Sequence, residues 1–62
     1  MIKEYDLVKT LVEKCGYPNG TKGVIVGIYK GGEACNVELW DKTNYPMDVI
    51  TYTTNEIEII NE

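Results

Sequence analysis

Lys22-Gly23-Val24-Ile25-Val26-Gly27-Ile28-Tyr29-Lys30-Gly31-Gly32 is the most strand-like run of the chain, and glycine closes it on both sides. β-Branched residues dominate it, as a pleated and half-buried surface favours. Gly31-Gly32 is free to adopt the dihedrals of a tight turn, so Lys30 to Glu33 reads as the tip of a hairpin. The next run, Ala34-Cys35-Asn36-Val37-Glu38-Leu39-Trp40, alternates well. Cys35, Val37 and Leu39 face one way and form a core set, while Asn36, Glu38 and Trp40 face the other. Val24 to Tyr29 is less clean, being apolar on both faces apart from Gly27. A glycine in mid-strand predicts a bulge or sharp curvature. That leaves open whether Val24 and Val26 or Ile25 point inward.

The flanking segments wrap around this hairpin. Tyr5 to Val12 is rich in β-branched and aromatic residues and is expected to be a strand, although Leu7, Val8, Leu11 and Val12 would also make a helical face. Cys15-Gly16-Tyr17-Pro18-Asn19-Gly20 is a loop with strong turn chemistry. After the polar turn Asp41 to Asn44, Tyr45 to Tyr52 forms a fourth strand, with Met47, Val49 and Thr51 opposite Asp48, Ile50 and Tyr52. Pro46 lacks a donor and belongs at a strand start or on an edge. Thr53 to Glu56 is expected to hold one tight helical turn, and Ile57 to Ile60 a last strand with Ile57 and Ile59 inward. Five short strands in one domain, residues 1–62, are expected to close into a small SH3-like barrel, because closure limits exposed edges.

Composition narrows the function. The ten acids outnumber six lysines, for a formal charge of −4, and arginine, histidine and serine are absent. Lack of arginine and a negative field argue against nucleic acid. A basic protein partner fits the charge better. No apolar run approaches the ~18 residues of a membrane span, no secretory signal opens the sequence, and the cytoplasm is the default location. Cys35 reads as a buried, reduced hydrophobe rather than the partner of Cys15 in a disulfide, and no metal or cofactor is expected. Without histidine or serine there is no acid–base or nucleophilic constellation, so no catalytic residue, no small-molecule substrate and no enzyme activity is expected. Gly20-Thr21-Lys22-Gly23 is too short for a phosphate loop and leads into a strand, so turn geometry explains its glycines.

Tyr5-Asp6-Leu7-Val8, Gly20 to Tyr29 and Gly31-Gly32-Glu33-Ala34-Cys35-Asn36-Val37-Glu38-Leu39 together resemble a family of small bacterial domains of unassigned function, the DUF4926 group. The resemblance covers most of residues 5–60 and is most specific in the hairpin. Leu39 stands where the family pattern usually has phenylalanine, and Thr51 to Thr54 departs from its usual ending. The resemblance implies a short SH3-like barrel and brings no catalytic residues. Some small bacterial proteins of this general kind are immunity proteins or antitoxins, which implies a partner that is a toxin, often a nuclease.

The candidate partner-binding residues are the aromatics Trp40, Tyr29, Tyr45 and Tyr52 with the acids Glu33, Glu38, Asp41, Asp48 and Glu56. Tyrosine and tryptophan give large contact areas with a polar handle, which suits an interface. A tyrosine that only caps the core with its hydroxyl outward is the competing explanation at each position. The expected function is a non-catalytic binding module that blocks a basic toxin domain, with Trp40 as anchor. The alternatives are an accessory subunit of a larger enzyme complex and an RNA-binding domain that uses its lysines.

Overall fold

The computed structural model describes residues 2–60. Five strands occur in the order β1 (Leu7–Thr10), β2 (Lys22–Ile28), β3 (Ala34–Trp40), β4 (Pro46–Thr53) and β5 (Ile57–Ile59), with a single 3₁₀ turn (Thr54–Glu56) before the last. They form one antiparallel sheet ordered β4-β3-β2-β1-β5. The all-β class, the strand number and the helical turn agree with the sequence. Closure does not. The expected SH3-like barrel is corrected to an open sheet whose edges, β4 and β5, do not pair with each other.

Side chains occupy the β4 edge where a closing strand would sit. The Val49 N–H donates to the Asp48 carboxylate at 2.8 Å, and the Thr53 N–H to Glu56 Oε1 at 2.8 Å. Lys14 Nζ donates to the Thr51 carbonyl at 2.9 Å and pairs with Glu56 Oε1 at 3.2 Å. The same ammonium lies 5.2 Å from the centre of the Tyr52 ring. Lys14 thus bridges the loop after β1 to the free edge of β4. Charged side chains on an edge also deter pairing with another chain.

The core is built from Val8, Ile25, Cys35, Val37, Leu39, Tyr52 and Ile57, with Ile50 and Ile59 packed against it. β3 supplies three of these at alternate positions, as its sequence predicts. The bulge expected near Gly27 is present: the β2–β3 register shifts between Ile25 and Gly27. It resolves the phase. Gly23 and Ile25 are buried, Val24 is half-buried, and Val26 is 37% exposed. Gly23 has to be glycine for space, since a Cβ there would lie 2.6 Å from both the Glu38 carbonyl oxygen and Val37 Cγ1.

β1 is shorter than the expected strand. Tyr5 takes a left-handed backbone (φ 72°), and past Thr10 only the Leu11 N–H carries the β1–β5 register on, donating to the Glu56 carbonyl of the 3₁₀ turn at 2.7 Å. Both cysteines are free, Cys15 exposed and Cys35 buried, and burial raises the Cys35 thiol pKa.

Candidate functional site

The loop between β1 and β2 forms one wall of a cleft. Within it, Lys14 and Tyr17 exchange backbone hydrogen bonds of 3.0 and 2.9 Å around Cys15 and Gly16, both at positive φ. Such a two-residue turn needs positive φ at both central positions. The rest of the loop is tied down by Thr10, which is fully buried. Its hydroxyl donates to the Pro18 carbonyl at 3.1 Å and accepts the Thr21 N–H at 3.1 Å. Its carbonyl accepts the Gly20 N–H at 2.7 Å. One satisfied polar residue in the core therefore fixes Pro18 to Thr21.

The opposite wall is the β3–β4 turn. Asp41 Oδ1 accepts from the Thr43 hydroxyl at 2.6 Å, the Thr43 N–H at 2.8 Å and the Tyr45 N–H at 3.0 Å. Those bonds, the Thr43 hydroxyl first, hold the Asp41 carboxyl below the usual aspartate value. Between the walls lies a cleft of ≈ 560 Å³ lined by Tyr17, Pro18, Trp40, Met47, Lys22 and Lys42 among others. That volume falls within the usual range for ligand sites.

Trp40 stands where the cleft meets the outer face of the sheet. Its indole N–H donates to Glu38 Oε1 at 3.0 Å, which fixes the ring from the neighbouring outward position. Cross-strand register sets Val24 beside Glu38 and Glu38 beside Val49. Val26, Met47 and Val49 are 37%, 43% and 49% exposed. The outer face is therefore an apolar strip with Glu38 and Trp40 inside it.

The nine candidate residues do not form one cluster. Trp40, Glu38, Asp41, Tyr45 and Asp48 gather at the cleft end. Tyr29 and Glu33 lie at the other end of β3, beside the Gly31-Gly32 turn, roughly 20 Å away at ~3.3 Å per strand residue. Glu56 is engaged on the β4 edge. Tyr52 is fully buried, so the expectation that it meets a partner is corrected: it is a core residue, and its hydroxyl has no hydrogen-bond partner among the described residues. Desolvation accordingly raises its phenol pKa. The acids are also less free than their number implies. Glu38 holds Trp40, Asp41 holds its turn, and Asp48 bonds the Val49 N–H and the Tyr17 hydroxyl. Only Glu33 of the five makes no side-chain hydrogen bond among the described residues.

Sequence reasoning left Tyr17, Pro18 and Met47 out of the candidate set and raised Lys22 and Lys42, with Lys9, Lys14 and Lys30, only as phosphate contacts under the RNA-binding alternative. Lys22 was legible in principle, because pairing β2 with β3 through the glycine-closed hairpin brings the start of one strand to the end of the other. Among the described residues no group of three histidine, cysteine or acidic side chains is arranged to hold a metal ion, and no helix is long and apolar enough to cross a membrane. Comparison of the chain with protein-family models, curated proteins and solved structures finds no match.

Proposed function

We propose that this domain is a non-catalytic protein-binding module whose docking surface is the outer face of the sheet around Trp40. The observation that carries this reading is the strip of exposed Val26, Val49 and Met47 with half-buried Val24, continuous with an oriented tryptophan on a protein of 62 residues. A contiguous exposed apolar patch marks an interaction site. A tryptophan held by its own hydrogen bond loses little side-chain freedom when a partner closes over it.

In the finer form of the proposal the partner is a basic toxin domain, bound and sterically blocked. The formal charge of −4 supports this, because it steers a basic partner even though most local carboxylates already have donors. The test begins with capture of the tagged protein from its native cell at physiological salt. A stoichiometric protein partner is then purified, and its binding is measured by calorimetry against wild type and Trp40→Ala. A loss of more than ~2 kcal/mol with an unchanged melting temperature is expected. Unaltered affinity removes Trp40 from the interface, and a partner without a basic surface removes the toxin reading.

A further inference from the structure

The cleft beside Trp40 is lined by more lysines than acids, while Glu38 and Asp48 adjoin it through hydrogen bonds to the Trp40 indole and the Tyr17 hydroxyl. Two lysines, Lys22 and Lys42, line it against one acid, Asp41, in a molecule of formal charge −4. Neither lysine enters an ion pair among the described residues, whereas Lys9 and Lys14 are matched to Glu58 and Glu56. Asp41 does not neutralise them by contact. Its bonded oxygen is spent on Thr43 and Tyr45 within its own turn. Between the lysines the lining is Tyr17, Pro18, Trp40 and Met47, a mostly apolar floor with two aromatic rings. The walls are built rather than loose, one pinned by buried Thr10 and the other by Asp41.

We propose that this cleft binds a short acidic segment of a partner protein. One apolar side chain of the segment seats among Tyr17, Pro18, Trp40 and Met47, and flanking carboxylates meet Lys22 and Lys42. The assignment rests on the reading of the domain as a protein-binding module, but not on the overall charge of its partner. Contact with the apolar floor supplies affinity, and the two solvent-exposed lysines select the sign of the flanking charge. Nucleic acid fits less well. Its phosphates would meet two lysines without arginine, inside the field of a net negative protein.

Trp40 is the one tryptophan of the chain, so its fluorescence reports on the cleft. The intact protein is titrated with acetyl-Asp-Glu-Leu-Glu-Asp-amide, with the neutral acetyl-Asn-Gln-Leu-Gln-Asn-amide, and with a short oligothymidylate. A saturable response to the acidic peptide is expected, about tenfold tighter than to the neutral one and weaker at high salt. Lys22→Glu and Lys42→Glu should each weaken it by about tenfold without lowering the melting temperature. Lys42→Glu lies in an exposed turn and keeps the test intact if Lys22→Glu disturbs β2. Equal binding of the two peptides, indifference to both lysine changes, or no saturation overturns the proposal. Tighter binding of the oligothymidylate overturns it in favour of a nucleic-acid site. The titration needs no native partner. Its failure alongside intact partner docking removes only the cleft assignment, and success without partner docking removes only the broader reading.

Discussion

β3 and β4 are neighbouring strands of similar length and similar alternation, yet they carry different loads. β3 lies between two partners and buries Cys35, Val37 and Leu39 completely, each at an alternate position. β4 has a partner on one side only. It buries Tyr52, half-buries Ile50, and leaves Pro46, Met47, Asp48, Val49, Thr51 and Thr53 exposed. The comparison teaches that alternation divides a strand into two faces, while the position of the strand in the sheet decides how much either face is covered. The edge strand is then available for another task. It presents Met47 and Val49 outward and is protected along its free edge by Lys14, Asp48 and Glu56.

The comparison breaks most visibly through paired truncations. Leu39→Ala in β3 should cost about 2–5 kcal/mol, enough to unfold much of a domain this small, whereas Val49→Ala in β4 should stay within ~0.5 kcal/mol. Urea denaturation followed by circular dichroism checks both. Equal losses would mean that β4 is covered in solution by something the isolated chain does not show.

The glycines of β2 sharpen the same point from the adjacent strand. Gly23→Ala drives a methyl against β3 backbone at 2.6 Å and should destabilise by about 1–3 kcal/mol. Gly27→Ala meets nothing nearer than 3.6 Å, on the Asn36 side chain, and should be tolerated. Thermal melts of the two variants separate a glycine required for close approach from one that marks a bulge.

The β4 edge responds to acid, as does the turn that Asp41 holds. The Thr53 N–H, then Lys14, hold the Glu56 carboxyl below its ordinary value of 4.5. A group whose pKa is lowered by folding stabilises fully above its unfolded value, and that contribution is lost as pH falls through the folded one. Urea midpoints should therefore decline on acidification below about pH 4.5, and Glu56→Gln should flatten that decline while lowering the midpoint at pH 7. An unchanged acid limb would show that the Thr53 N–H and Lys14 contacts to Glu56 do not persist in solution.

The smallest effect lies where β4 behaves most like β3. Tyr52→Phe deletes a buried hydroxyl that has no partner among the described residues. Stability should be unchanged or rise by up to about 1 kcal/mol, as read from the melting temperature. A clear loss would reveal a hydrogen bond, through water or a moved Lys14–Tyr17 turn, that fixes the ring.

The sequence by itself determined the inward set of β3, the Gly31-Gly32 turn, the 3₁₀ turn before β5 and the free state expected of Cys35. Each is a local pattern set within a few residues, by period-two alternation in β3, positive φ at Gly31-Gly32 and a short polar run before β5. It also placed Trp40 outside the core, opposite Val37 and Leu39. Tertiary structure alone decided the rest, because each remaining question depends on residues distant in the chain. The bulge between Ile25 and Gly27 set which side of β2 faces inward. The register with β3 put Tyr52 beside Cys35 in the core and Val49 beside Glu38 on the surface. The open sheet followed from a three-residue β5 and a β4 edge already bonded by Lys14, Asp48 and Glu56. The cleft joins the loop before β2 to the turn after β3, segments that no local pattern connects.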